Sequence, residues 1–154
     1  QRVWDEISEI EKQGIEQAVL EPGAGQALQY LAAYAELAVL TNNTGQNLEQ
    51  TLGRLGLLPY LGYVAGRDSV PKMKPAPDGM LHIMAQFPHI AAANTLAVGD
   101  ARIDADAAGR AGIGFVSYNR SRIADWDGLG IRPLLRLNCW DQTSCRRLAA
   151  LLAG

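Results

Sequence analysis

Short apolar runs alternate along the chain with longer segments in which apolar residues recur every three or four positions. Uninterrupted apolar runs are typical of strands covered on both faces, and the three-to-four spacing is typical of helices with one buried face. The predicted strands are 37–40, 63–65, 95–98 and 114–117. The predicted helices are 3–18, 24–35, 44–55, 78–86, 103–110 and 141–152. This alternation predicts a single α/β domain over residues 1–154, with a parallel sheet and helices on both faces.

The composition argues against several classes of partner. The chain has 154 residues, of which 48% are hydrophobic and 19% charged, and its net charge is −2. A nearly neutral chain offers no electrostatic footprint for nucleic acid, and no apolar run approaches the length of a membrane span. Cys139 and Cys145 lack metal-ligand spacing. We therefore expect reduced thiols in a cytoplasmic protein, with a disulfide as the minor alternative.

Polar side chains follow three of the predicted strands at the point where each strand ends. Thr41 and Asn42 follow 37–40, Asp100 and then Asp104 follow 95–98, and Asn119 follows the last strand. In open parallel sheets, ligands bind outside the carboxyl ends of the strands. The sequence therefore predicts a ligand site at this edge of the sheet.

The residue types at this edge suit a phosphate group. The Thr41 hydroxyl can donate to a phosphate oxygen, and the free N–H groups of the following helix favour an anion. The alternative is that Thr44 or Asn43 merely caps that helix. Lys74 is held by Pro75 in an extended backbone and can neutralise a phosphate or a carboxylate. The alternative for Lys74 is a solvated loop lysine.

Two carboxylates one helical turn apart suit a magnesium ion. Mg²⁺ is commonly held by one or two carboxylates together with water and phosphate. Asp100 and Asp104 can face one point, while Gly99 lets the backbone pass close to a ligand. The alternative is that Asp104 and Asp106 only stabilise the helix N-terminus through its dipole.

The order of these motifs resembles a known family. A strand followed by Thr41-Asn42, then Lys74-Pro75-Ala76-Pro77, then Val98-Gly99-Asp100 with Asp104 resembles motifs II, III and IV of the haloacid dehalogenase-like hydrolases. Residues 20–24 and 109–113 also resemble the phosphoglycolate phosphatase-type branch, so that the similarity covers about residues 20–118. The resemblance implies a Rossmann-like core and a magnesium-dependent phosphomonoesterase that acts on a small phosphorylated substrate.

The resemblance also implies a role for each matching residue. Thr41 would hold the transferring phosphoryl group, and Asn42 would contribute its backbone N–H. Lys74 would stabilise charge on the phosphate and on the nucleophile. Asp100 would bind Mg²⁺, and Asp104 would support or complete the metal shell.

One part of the family pattern is not found ahead of Thr41. The family's motif I is a strand ending in Asp-x-Asp-Gly-Thr, whose first Asp attacks phosphorus and whose second is the general acid and base. Residues 1–21 are interpreted as a remnant of the cap domain, and their single aspartate is Asp5, on the predicted helix. We therefore expect a fragment that is inactive alone and binds Mg²⁺ weakly or not at all. Residues 125–128 spell Asp-x-Asp-Gly, but they follow motif IV and are interpreted as a surface loop.

The strand that carries motif I lies in this family between the strands at 37–40 and 95–98. Without it, two strand edges are exposed. The chain must then pair these strands directly, recruit another segment, or borrow one from a partner, for which a homo-oligomer is one possibility. The alternative function is a non-catalytic phosphate- or metal-binding or assembly protein. A receiver-type signalling domain is set aside, because Asp100 follows both Thr41 and Lys74.

Overall fold

The computed structural model describes residues 18–118 and 125–153. The predicted helix at 3–18, apart from its last residue, and Asn119 lie outside these ranges. The strands in the described part are β1 (Ala38–Leu40), β2 (Tyr63–Ala65), β3 (Leu96–Gly99), β4 (Gly114–Tyr118) and β5 (Leu135–Leu137). The helices are α1 (Ala24–Leu31), α2 (Gly45–Arg54), α3 (Asp78–Gln86), α4 (Arg102–Ala111) and α5 (Gln142–Leu152). None of these helices is long and apolar enough to cross a membrane.

The predicted alternation of strands and helices is confirmed, and one strand was missed. All four predicted strands form within one residue of their expected bounds. The missed strand, β5, pairs in parallel with β4, with Val116 opposite Leu135. Its sequence is Leu135-Arg136-Leu137, in which the middle side chain is exposed. Three residues with a central arginine do not form an apolar run, so the pattern gave no signal for a strand.

The strands form two parallel sheets rather than the single sheet expected. β1 pairs with β2 in one sheet, and β3, β4 and β5 pair in that order in the other. Val39 lies opposite Val64 in the first sheet, and Val98 lies opposite Val116 in the second. Within the described residues β1 and β3 do not pair with each other. Direct pairing of these two strands, one of the three arrangements expected above, is therefore not the one adopted.

Helices cover both faces of the strands, as predicted. On one face, α3 packs against β1, β2 and α4, while α4 packs against β3 and β4. The second sheet has a core cluster on this side made of Ala97, Ala105, Ala108, Phe115 and Trp126. On the other face, α1 and α5 pack against each other. The cluster there consists of Leu31, Val116, Leu137, Leu148 and Ala149. The alternation of Phe115 and Val116 between the two clusters follows from the two-residue period of a strand.

The segment that spells Asp-x-Asp-Gly contributes to the core through its tryptophan. Trp126 is only 1% exposed, and its ring centroid lies 5.4 Å from that of Phe115. The carboxylates on either side are exposed, as expected for a surface loop. Asp125 accepts a hydrogen bond from the N–H of Gly128 at 2.8 Å, and Asp127 pairs with Arg136 at 2.8 Å. These contacts explain both acidic residues by turn formation and surface pairing.

The two cysteines are free thiols in different surroundings. Cys139 is exposed, and Cys145 is buried on α5. Burial raises the pKa of the Cys145 thiol. The interpretation as reduced thiols agrees with this arrangement, because the sulfur atoms are not joined.

Candidate active site

A mostly buried lysine joins the carboxyl ends of the two sheets. The Lys74 ammonium donates to the carbonyl oxygen of Leu40 at 3.3 Å and to Oδ1 of Asp104 at 2.7 Å. Leu40 is the last residue of β1, and Asp104 lies in the first turn of α4, directly after β3. The side chains of Lys74 and Asp104 are only 13% and 12% exposed. The carboxyl ends of β1 and β3 therefore meet at one ammonium group, and Lys74 is not a solvated loop lysine.

The side chain of Asn42 fixes the backbone of Lys74. Oδ1 of Asn42 accepts from the Lys74 N–H at 3.1 Å, and Nδ2 of Asn42 donates to the Lys74 carbonyl at 3.2 Å. Arg110 donates to the carbonyl of Pro75 at 2.8 Å and ties the same loop to α4. Sequence reasoning gave Asn42 only a role for its backbone N–H, because nothing local in the sequence connects it to a residue 32 positions away.

Thr41 continues the β1–β2 ladder and turns its hydroxyl into the following loop. Its N–H donates to the carbonyl of Ala65 at 3.0 Å. Its Oγ1 accepts from the N–H of Asn43 at 3.1 Å. Because a hydroxyl both accepts and donates, the proton of this group is still available to a ligand oxygen. The geometry is compatible with the predicted role of Thr41 at a phosphate.

The start of α2 is capped by a side chain from another loop. The N–H of Gly45, the first residue of α2, donates to Oδ1 of Asp68 at 2.8 Å. The Thr44 hydroxyl makes no cap hydrogen bond, and it is buried without a partner among the described residues. Thr44 occupies the N-cap position, but the alternative that its side chain caps this helix is not the arrangement seen. Asp68 was missed because it lies in the loop after β2, 23 residues further along the chain.

Asp104 uses both of its oxygens within the protein. Oδ1 accepts from Lys74, and Oδ2 accepts from the N–H of Ala101 at 3.1 Å. The second bond caps the start of α4, so the helix-terminal role considered for Asp104 is present alongside the ion pair. A Cβ atom at Gly99 would lie 2.5 Å from Cβ of Asp104. Gly99 therefore makes room for Asp104, rather than only for a ligand. Asp106 pairs with Arg102 at 3.4 Å.

Asp100 is the exposed carboxylate of this edge. It follows β3 directly and lines a cavity of about 700 Å³ between β1 and β3. Within residues 18–118 and 125–153 there is no group of three or more His, Cys, Asp or Glu side chains that could hold a metal ion. Both oxygens of Asp104 are engaged within the protein, so a Mg²⁺ ion held by Asp100 would need water or a bound phosphate as its other ligands.

Comparison with known proteins gives the family of the chain. The sequence pattern of the haloacid dehalogenase-like hydrolase family matches residues 1–118. The chain belongs to the haloacid dehalogenase-like hydrolases. Among the relatives of this chain, the phosphoglycolate phosphatase of Pseudomonas fluorescens is 31% identical over 112 residues. That alignment covers 70% of this chain and 41% of the relative. The chain thus spans about two fifths of the length of that relative.

Solved structures of haloacid dehalogenase-like proteins share the fold of this chain. A subfamily IA hydrolase from Geobacter sulfurreducens superposes with a TM-score of 0.73 at 25% identity, over 92% of this chain and 60% of that one. A putative hydrolase from Bacillus subtilis, bound to magnesium, superposes with a TM-score of 0.72 at 20% identity, over 86% of this chain and 55% of that one. The resemblance to this family and to its phosphoglycolate phosphatase-type branch is confirmed, and so is the Rossmann-like α/β fold.

Proposed function

We propose that the chain is the core of a magnesium-dependent phosphomonoesterase with a small phosphorylated substrate, working in the cytoplasm. The observation that carries this proposal is the Lys74 ammonium, held by Leu40 and Asp104 where the ends of β1 and β3 meet. A fixed cation at the carboxyl ends of parallel strands is suited to an anionic substrate. The phosphoglycolate phosphatases among the relatives support a phosphate ester.

Each residue of the site has a distinct task in this proposal. An ammonium group has three donors, of which Lys74 uses two within the protein, so the third can point to a phosphate oxygen. The Thr41 hydroxyl and the backbone N–H of Asn42 would bind further phosphate oxygens. The Asn42 side chain would keep the ammonium in place by fixing the Lys74 backbone.

A bound Mg²⁺ would polarise a phosphoryl oxygen and offset the charge of the phosphate. Asp100 would hold the ion directly, while Asp104 supports the shell from its place beside Lys74. Because a single carboxylate is free, we expect weak binding. In a calorimetric Mg²⁺ titration, Asp100→Asn should lower the affinity and the matched control Asp106→Asn should not. Equal binding by wild type and Asp100→Asn would place the metal elsewhere.

We further propose that these 154 residues alone do not turn over phosphate esters. Thr41, Lys74 and Asp100 stabilise charge, but the transfer also requires a nucleophile in line with the leaving oxygen and an acid to protonate that oxygen. Asp104 is bound to Lys74 and Ala101 and so is not free to act as a base.

Hydrolysis of p-nitrophenyl phosphate and of 2-phosphoglycolate with Mg²⁺ should therefore match the blank without enzyme. Adding an upstream strand that ends in Asp-x-Asp-Gly-Thr should create activity, and Lys74→Ala should abolish it. Turnover by the unmodified chain that is lost in Asp125→Asn or Asp127→Asn would contradict the proposal and assign catalysis to the segment 125–128.

A non-catalytic binding function is the second candidate. The observation that favours it is the full engagement of Asp104 within the protein, which leaves Asp100 as the free carboxylate of the site. The chain with the added upstream strand distinguishes the two candidate functions. If it binds inorganic phosphate in a Lys74-dependent manner but hydrolyses neither ester, the binding function is favoured.

A further inference from the structure

The loop that follows β1 lies backbone to backbone against the loop that follows β2. The first loop comprises residues 41–45 and the second comprises residues 66–69. Beyond the last bond of the β1–β2 ladder, the N–H of Arg67 donates to the carbonyl of Asn43 at 2.9 Å. The two loops are therefore held together by hydrogen bonds past the ends of the strands.

The close approach of the two loops requires a glycine at position 66. Gly66 and Gly45 are both buried. A Cβ atom at Gly66 would overlap the backbone nitrogen of Gly45 and would lie 2.7 Å from the carbonyl oxygen of Asn43. Both are backbone atoms, so neither can turn aside as the end of a flexible side chain could. Any side chain at position 66 must therefore push the loops apart.

A single carboxylate closes this contact between the loops. Oδ1 of Asp68 accepts from the N–H of Gly45 at 2.8 Å, and this N–H is the first of α2. A carboxylate at this position also interacts favourably with the helix dipole. Because the N–H of Gly45 is used within the protein, a phosphate at this edge would depend on other donors, such as the hydroxyl of Thr41.

Asn43 connects the paired loops to that hydroxyl. The N–H of Asn43 donates to Oγ1 of Thr41 at 3.1 Å, while its carbonyl accepts from Arg67. With one lone pair of the hydroxyl engaged in this way, the hydroxyl proton is directed away from Asn43. Asn43 lies only two residues before Gly45, so release of Gly45 would also release the N–H that orients the hydroxyl.

We propose that Asp68 is a positioning residue for the hydroxyl of Thr41. By holding Gly45, Asp68 keeps the loop 41–45 in the conformation in which this hydroxyl donates to a bound phosphate. The inference rests on the proposed phosphate site, and the action of Asp68 is indirect, through the backbone of the loop. It requires the acceptor oxygen of Asp68 rather than its negative charge. Asparagine keeps such an oxygen and alanine removes it, so the two substitutions separate these requirements.

Hydrogen exchange of the full chain, without phosphate or Mg²⁺, tests the hold on the loop. Asp68→Ala should speed exchange of the amides of Gly45, Asn43 and Arg67, and Asp68→Asn should leave them close to wild type. The control is Glu49→Ala, which removes an exposed carboxylate from the same helix and should change none of these amides. Faster exchange confined to Gly45 would reduce Asp68 to a helix cap and overturn the proposal.

A second variant disturbs the same contact while keeping Asp68. In Gly66→Ala the added Cβ presses on the backbone of the loop 41–45, so the amide of Asn43 should again exchange faster. The matched control is Gly53→Ala on α2, where the nearest atom to an added Cβ is a Leu58 methyl at 3.4 Å. Circular dichroism should show that both variants are folded. Wild-type exchange in folded Gly66→Ala would show that the loop does not depend on this contact, against the proposal.

Calorimetric titration with inorganic phosphate, in the presence of Mg²⁺, measures the consequence for the ligand. Asp68→Ala should bind phosphate about fivefold more weakly than wild type, because the loop is released. Asp68→Asn should bind at least as tightly as wild type, since it keeps the acceptor and removes a charge of the same sign as the ligand. Glu49→Ala is again the control and should stay within about twofold of wild type.

The outcomes separate this inference from the proposed function. Equal weakening in Asp68→Asn and Asp68→Ala, or wild-type binding in Asp68→Ala, would overturn the positioning role. An absence of phosphate binding in wild type would contradict the proposed function and with it the role of Asp68 toward phosphate. Faster exchange in Asp68→Ala would in that case still show its hold on the loop.

Discussion

Two neighbouring regions differ in polarity: the carboxyl ends of β1 and β3 carry polar side chains, and the groove, which is the cavity between β1 and β3, is mainly apolar. At the strand ends, the side chains of Asn42, Lys74 and Asp104 form a network of hydrogen bonds with one another and with the backbone. In the groove, apolar side chains line about 700 Å³ and two strand edges have no pairing strand among the described residues. The network joins the ends of the two sheets, whereas the described strands β1 and β3 do not pair with each other.

Among the described residues, side-chain contacts and helix packing connect the two sheets. Lys74 reaches from the carbonyl of Leu40 in the first sheet to Asp104, which follows the second sheet. The helix pair α3 and α4 packs across the same division. The position of the site therefore depends on polar contacts and helix packing, and we expect it to be sensitive to the loss of either.

Breaking the ion pair should have the largest effect. Asp104→Asn removes the charge that pairs with Lys74 and leaves a mostly buried ammonium without its counter-ion. Loss of one partner of a buried pair costs about 3 kcal/mol, which would appear as a lower midpoint in urea unfolding. The matched control is Asp106→Asn, whose pair with Arg102 is exposed and should cost less than about 1 kcal/mol. Equal losses in the two variants would show that the network does not join the sheets.

Removing the clamp on the Lys74 backbone should have an intermediate effect. Asn42→Ala deletes two hydrogen bonds and leaves the N–H and C=O of Lys74 without these partners, at a cost of about 2 kcal/mol. The exposed Gln46 on α2, changed to Ala, is the control and should stay within about 0.5 kcal/mol of wild type. Urea unfolding measures both variants. Faster hydrogen exchange at the Lys74 amide in Asn42→Ala would show that the loss is at the clamp. Unchanged exchange would mean that the loop is fixed by other contacts.

Truncating the groove should have the smallest effect. Val98 is 40% exposed in the groove, and Val116, its partner across the β3–β4 ladder, is 0% exposed. Val98→Ala should cost about 0.5 kcal/mol or less, whereas Val116→Ala should cost about 2 kcal/mol because it leaves a hole in the packed core. Thermal unfolding compares the two directly. A loss at Val98 as large as that at Val116 would mean that the groove is already filled in solution.

The sequence predicted the fold well where burial imposes a simple pattern. The runs at 37–40 and 95–98 lie between helix layers, and such strands must be apolar on both faces. The pattern failed where a strand is short and mixes apolar with charged residues. The strand Leu135–Leu137 has three residues, and the middle one is an exposed arginine. The pattern also extended the helix after Pro22 to residue 35, whereas α1 ends at Leu31, because alanines continue the apolar pattern through the turn that follows.

The sequence suggested candidate residues for the site but not the contacts among them. Hydroxyl, ammonium and carboxylate groups after strands are visible in the sequence, and the structure joins two of them, Lys74 and Asp104. That Thr41 and Asp100 reach the same ligand stays a prediction. The clamp by Asn42 and the cap by Asp68 are side-chain contacts across 32 and 23 residues. Such contacts depend on how loops approach one another, for which local spacing holds no signal. The roles of these residues toward phosphate and Mg²⁺ stay predictions.

The facing arrangement of the two free edges also bears on stoichiometry. An open edge strand that gains a neighbour presents a new open edge, so that addition can repeat without limit, as it does in fibrils. Here both edges border the same gap, and a strand placed in it would satisfy the two together. Addition at this gap would therefore stop after one step and saturate at one strand per chain.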